Sequence, residues 1–176
     1  METKQLITSK LPLLGFGTWK IGGNMEPDTS KDALYVDIIK QAIRLGIRHI
    51  DTAEMYGNGH AEEIIGTVLK EMFSGNEIKR EELFITSKVW HNHLRYDDLI
   101  ASCRKSLKRL GIDYLDLYLI HWPNHDVDMK ETMRAMDILV EKGLVRHIGL
   151  SNFSVEQIKE AQSCSKNHIL EFPAFL

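Results

Sequence analysis

The sequence predicts an α/β fold of the parallel (β/α)8 barrel type, with about six of the eight strands present and a short β-hairpin at the N-terminus. Three observations predict it. Glycines that stop helices fall at 46, 75, 111 and 143, at intervals of 29, 36 and 32 residues. Each interval is the length of one strand, one helix and two short loops. Every helical stretch is followed at once by a short apolar run, so strands alternate with helices and the sheet is parallel. Polar side chains end successive strands: Asp51, then Lys88, then His121, then Ser151 with Asn152. A closed barrel builds its site from such a ring of strand ends, whereas an open doubly wound sheet gathers it at one switch point.

The elements follow in order. Residues 4–9 and 11–18 read as two extended pieces, with a turn at Ser9 and Lys10; LPLLGFGTW is too rich in glycine for a helix. Gly22-Gly23-Asn24 breaks the pattern and residues 27–30 form a loop. Ser30 is placed to cap a helix whose apolar face is Leu34, Ile38, Ile39, Ala42 and Ile43, with Gly46 just past its end. A strand follows at 47–51. The helix at 60–73 presents Ile64, Ile65, Val68 and Leu69 and ends at Gly75, and 83–89 is the next strand. Asp97 is placed to cap a helix carrying Leu99, Ile100, Cys103, Leu107 and Leu110, which Gly111 stops before a strand at 114–120. A helix at 128–142 stops at Gly143, ahead of a strand at 145–150. Ser154 and Gln157 form a capping box for the last helix, and a final strand lies at 169–172. With no linker and no low-complexity stretch, residues 1–176 read as a single partial barrel domain.

Composition narrows the function. The chain has 176 residues, 43% hydrophobic and 27% charged, which fits an ordinary soluble globular domain. A net charge of -3 offers no broad basic field for nucleic acid or anionic lipid. The start, METKQ, has no apolar signal core, and no apolar run approaches the roughly 20 residues of a membrane span, so the expected location is the cytoplasm. Cys103 and Cys164 form no CxxC and no disulfide framework, and read as free thiols. Gly15-Phe16-Gly17 lacks the third glycine of a dinucleotide fingerprint; these glycines read as turn and close-packing positions.

Asp51 and Tyr56 stand five residues apart across a loop, near enough to face one cavity. A phenol, with an unperturbed pKa of about 10, is a poor acid near neutrality unless a cation lies beside it. Lys88 is a candidate for that cation, with Asp51 holding it in place. A lone lysine or histidine at a strand end is more often structural; here Lys88 and His121 share the phase of Asp51, and His121 is placed to donate a hydrogen bond to a substrate oxygen. Trp19, Trp90 and Trp122 each fall just past a strand end, either as an aromatic wall above the barrel or as packing between loops and barrel. His91 and His93, with His121 and His125, have the residue types of a metal site. Carboxylates at matching strand ends are missing apart from Asp51, so no metal is expected.

Five segments, LLGFGTWKIGG, RHIDTAEMYGNGHAEEIIG, LFITSKVW, DYLDLYLIHWP and VRHIGLSNFS, resemble the aldo-keto reductases. The resemblance implies a (β/α)8 barrel that uses NADP(H), with NAD(H) as the second option, to reduce aldehydes or ketones. It places the family's tetrad on Asp51, Tyr56, Lys88 and His121. Tyr56 would donate the proton, Lys88 would lower its pKa, Asp51 would partner Lys88 and His121 would orient the carbonyl. It places Ser151 and Asn152 on the nicotinamide carboxamide, and Thr18, Trp19, Lys20 and Asp51 beside the cofactor. The substrate pocket would comprise Trp19, Trp90, His121 and Trp122. The implied partner is a small carbonyl compound, not nucleic acid or membrane. The family's barrel has eight strands, so this N-terminal portion leaves barrel edges uncovered, open to self-association, and is expected to bind cofactor weakly or not at all. Aligning Glu171 with the family's acidic residue puts Ile169 where a nicotinamide-holding glutamine normally stands. A regulatory member of the same fold, as in the potassium-channel beta proteins, and a truncated inactive product are the other readings.

Overall fold

Two antiparallel strands, β1 (Thr3–Gln5) and β2 (Lys10–Pro12), form the expected hairpin. The structure, a computed structural model, describes residues 3–5 and 10–172, so the expected turn residue Ser9 lies outside the described residues, while Lys10, the other one, is no turn residue but the first of β2, paired with Gln5. The extended piece at 11–18 is two strands, because the chain bends at Leu13 and Leu14 before β3 (Gly15–Gly17). Gly15 and Gly17 are therefore strand residues and form no turn. Gly15 is a close-packing position, since a Cβ there would sit 2.7 Å from the His49 ring.

From β3 the chain alternates regularly. The remaining strands are β4 (His49–Asp51), β5 (Phe84–Val89), β6 (Leu115–Ile120), β7 (Val145–Ser151) and β8 (Ile169–Phe172). They are connected by α1 (Asp32–Arg44), α2 (His60–Ser74), α3 (Tyr96–Leu110), α4 (Met129–Glu141) and α5 (Val155–Cys164). The six strands pair strictly in chain order, β3 through β8, and every pair is parallel. That order belongs to a barrel wound in one direction; an open doubly wound sheet reverses at its switch point.

Side chains alternate across this sheet with the period of two that a strand imposes. Ile85, Val89, Tyr118 and Ile120 face the helices and join the large core between strands and helices. Phe84, Leu117 and Leu119 form a second cluster on the opposite face, joined by Leu11 of β2 and Leu170 of β8. Lys88 shares the phase of Phe84, and His121 that of Leu119, so both point to the barrel interior. This alternation carries the site residues inward.

Most helix boundaries follow local rules. Gly46, Gly111 and Gly143 take positive φ, as helix-ending glycines do. Ser154 and Gln157 form the capping box, and Asp128 caps α4 through the Lys130 N–H at 2.9 Å. Three expectations need correction. Ser30 does not cap α1; its N–H donates to Asp28 Oδ1 at 2.9 Å, and the helix starts after Lys31. Asp97 does not cap α3; the Tyr96 N–H donates to Glu131 Oε1 of α4, also at 2.9 Å. At the end of α2 the left-handed residue is Asn76 (φ 55), not Gly75 (φ −79), and the Glu77 N–H closes the turn onto the Met72 carbonyl. The α1 face is also narrower than its sequence suggests. Ile39 and Ile43 are buried, while Leu34 and Ile38 are exposed, because β3 pairs with β4 alone among the described residues.

One buried charge holds the layers together. Glu62 of α2 is fully buried and accepts hydrogen bonds from Arg109 of α3, whose Nη2 lies at 2.6 Å, and from the Ser87 hydroxyl of β5 at 2.6 Å. Burial pushes the Glu62 carboxyl up, and the Arg109 guanidinium and the neighbouring hydroxyls oppose that shift. Removing one partner of such a pair costs roughly 3–5 kcal/mol, whereas replacing both by apolar residues costs far less. Arg109→Met is therefore expected to lower the free energy of urea unfolding by about that amount, and Glu62→Met added to it to restore most of the loss.

Candidate active site

Asp51 is the last residue of β4, and Lys88 lies one residue from the end of β5. Lys88 is 3% exposed, and its ammonium has three oxygen partners: Asp51 Oδ1 at 2.5 Å, the Thr52 carbonyl at 2.9 Å and the Tyr56 hydroxyl at 3.2 Å. All three of its donors are used. Tyr56 reaches it because the chain reverses tightly after it. Gly57, Asn58 and Gly59 all take positive φ, at 57°, 53° and 93°. Gly57 also has no room for a side chain, since a Cβ would lie 2.4 Å from the Gly22 carbonyl oxygen.

Three rings complete the constellation. Trp19 packs edge-on to Tyr56 with ring centroids 4.9 Å apart, Tyr56 lies 5.7 Å from His121, and Trp90 lies 5.3 Å from His121. Trp122 is half exposed and stacks on no other ring among the described residues, so it stands at the rim. His121 is buried, and burial pushes its pKa down to about 3, with the charges of Lys88 and His91 acting in the same direction. Near neutral pH the ring is therefore uncharged and carries one N–H. Its Nδ1 is buried and has no hydrogen-bond partner among the described residues.

Thr18 is fully buried, and both its N–H and its hydroxyl donate to the Asp51 carbonyl at 3.0 Å. It thereby pins the end of β4 rather than presenting a free donor. Lys20 is exposed at a turn with φ 68. Ser151 ends β7, and Asn152 beyond it has φ 62. The Asn152 amide donates to the His121 carbonyl at 2.8 Å and to the Ser151 Oγ at 3.1 Å. Among the described residues no hydrogen bond engages its own oxygen or the Ser151 hydroxyl proton. Ile169 is buried in the layer between strands and helices, so that position faces away from the barrel interior.

His91 and His93 lie in a short 3-10 turn, where His93 Nδ1 is 3.0 Å from Glu54 Oε1. The described residues hold no group of three or more side chains able to share a metal ion. Cys103 and Cys164 are both free, and burial pushes the Cys103 thiol up to about 12. Glu54 escapes a sequence reading. It is one more acidic residue in a loop, and only the fold brings it to Trp90.

Sequence and fold both match a known family. The sequence model of the aldo/keto reductase family matches residues 13–171. The chain belongs to the aldo/keto reductase family. Aldo-keto reductase family 1 member A1 of Mus musculus is 43% identical over 174 residues, an alignment that covers 88% of this chain and 50% of the mouse protein. The Xenopus tropicalis protein of the same name is 42% identical and is covered over 52% of its length. The chain thus spans about half the length of these relatives. A crystal structure of a thermostable aldo-keto reductase with the inhibitor epalrestat superposes with a TM-score of 0.93 at 48% identity, covering 99% of this chain and 63% of that one. A Bombyx mori aldo-keto reductase in complex with NADP superposes with a TM-score of 0.84 at 34% identity, covering 98% of this chain and 57% of that one. The parallel strands of this aldo/keto reductase chain are therefore barrel strands, six of the family's eight.

The depressed pKa of His121 has a consequence for stability. Between about 6.5 and 3 the unfolded chain binds a proton at this ring that the folded chain does not. Stability is therefore lost as pH falls through that window, and His121 makes no such contribution above it. His121→Gln is expected to flatten the acid limb of a plot of unfolding free energy against pH. An unchanged slope would place the titration elsewhere.

Proposed function

We propose that this chain carries the proton-donating side of a carbonyl reductase site, acting on aldehydes or ketones with NADPH. The observation that supports this best is the Lys88 ammonium, fixed between the Asp51 carboxylate and the Tyr56 hydroxyl at 2.5 and 3.2 Å. When a carbonyl carbon is reduced, negative charge develops on its oxygen, and an acid must stand there. Tyr56 supplies that proton from its hydroxyl. Lys88 stabilises the phenolate left behind, and Asp51 keeps the ammonium from turning away. His121, uncharged, donates its single N–H to the same oxygen and sets the carbonyl's direction. Trp19, Trp90 and, at the rim, Trp122 exclude water from an apolar substrate.

The residues present fit the nicotinamide end of the cofactor. A carboxamide needs one acceptor and one donor, and the Asn152 oxygen and the Ser151 hydroxyl offer both beside His121. Trp19 and Lys20 line the approach from β3, and the buried Thr18 holds the strand end beneath them. NADPH, when bound, supplies the hydride. The described residues contain no helix long and apolar enough to cross a membrane, and we assign the chain to the cytoplasm as one partial barrel domain, residues 1–176. The outer edges of β3 and β8, unpaired among the described residues, are the surfaces through which two copies would associate.

Two measurements test this reading. Turnover of 4-nitrobenzaldehyde at saturating NADPH is expected to fall by about 10²–10⁴ in Tyr56→Phe, the usual worth of a positioned general acid, with cofactor binding unchanged. A Phe variant that keeps the rate would remove Tyr56 from its role. Light scattering behind a size-exclusion column is expected to show a dimer, and a strictly monomeric species over the micromolar range would refute edge pairing.

A further inference from the structure

The loop between β4 and Tyr56 contains a substitution in the hydrogen-bond ladder. Past β4, whose last register pair with β5 is Asp51 with Thr86, the chain still donates two N–H groups to β5 carbonyls. The Thr52 N–H donates to the Thr86 carbonyl at 2.9 Å and the Glu54 N–H to the Lys88 carbonyl at 3.2 Å. In a regular parallel ladder the next bond would run from the Trp90 N–H to the Glu54 carbonyl. It does not form. The chain is already turning, with the Tyr56 N–H bonded to the Ala53 carbonyl at 3.1 Å. The Glu54 side chain takes over instead: its Oε1 accepts the Trp90 N–H at 2.6 Å and lies 3.0 Å from His93 Nδ1. That carboxylate is 9% exposed.

We propose that Glu54 is a positioning residue that lets the chain leave the sheet to deliver Tyr56 while the wall residue Trp90 stays anchored. The proposal deepens the carbonyl reductase reading and rests on it. Tyr56 and Trp90 both pack on His121, at 5.7 and 5.3 Å, from the two sides of this junction. Glu54 thus sets the spacing between the acid and the wall, and with it the width of slot open to a substrate. The role needs an oxygen at this reach. Gln keeps one, Ala has none, and Asp falls one methylene short.

Amide hydrogen exchange followed by nuclear magnetic resonance on the full chain tests the clamp without requiring turnover. In Glu54→Ala the Trp90 amide is expected to exchange at least about tenfold faster, the equivalent of one lost charge-assisted bond, while Leu117 and Leu119 keep their protection. Glu54→Gln is expected to restore it. If the Ala variant does not fold, Glu54→Asp keeps the charge and is expected to lose the same protection. Turnover gives the second readout: in Glu54→Ala, KM for an aromatic aldehyde rises several-fold and KM for a small aliphatic one does not, with kcat little changed. Trp90 protection unchanged in the Ala and Asp variants would overturn the proposal, as would loss of protection across the whole sheet. Failure here, with Tyr56→Phe still inactive, would leave the reductase reading standing. No turnover in any variant, with the exchange result as expected, would retain the clamp and remove the reductase reading.

Discussion

An ammonium group buried in a barrel is the constraint on which the site depends. Left unpaired, Lys88 would cost several kcal/mol. Its three donors therefore dictate three oxygens within reach, and the chain supplies them from one short segment: Asp51, Thr52 and Tyr56. That demand explains why β4 ends at a carboxylate. It explains why the chain turns back through consecutive left-handed residues. It also explains why Thr18 spends both its donors on the Asp51 carbonyl, since any drift of that strand end would break the ion pair. What satisfies the lysine electrostatically also places a phenol beside a cation, which is the arrangement an acid at this position requires.

Sequence patterns made much of this legible, for specific reasons. Helix-ending glycines and alternating apolar runs are local signals, and the strand order followed from them. The positions of Lys88 and His121 inside the barrel followed from strand parity, because each shares its phase with an inward apolar neighbour. Long-range solutions were not legible. Glu131 caps a helix thirty-five positions away in sequence, and Glu62 forms its ion pair with Arg109 across two helices. Glu54 stands in for a backbone carbonyl that the turn removes. None of these partners has a local signature. The extra left-handed residue Asn76 was hidden for a different reason: a glycine beside it offered the more familiar explanation.

The three tryptophans show how a pattern can be right in outline and coarse in detail. Each does stand past a strand end, yet their environments differ. Trp19 and Trp122 each keep nearly half their surface open, but Trp19 packs on the Tyr56 ring and Trp90 on the His121 ring, while Trp122 stacks on no ring among the described residues. Sequence position fixes the edge of the barrel on which a residue falls.

The helix cap from Glu131 has a consequence for how such a chain is assembled. The first N–H of α3 is satisfied by a residue of α4, so one strand-helix unit is finished only when the next has arrived. The repeats are therefore not interchangeable beads. A nascent chain leaving the ribosome with α3 as its last helix would carry this N–H open to water, and docking of α4 would close it. Growth and cooperativity are then the same event, and a natural break in the chain is one that falls between such handshakes rather than across one.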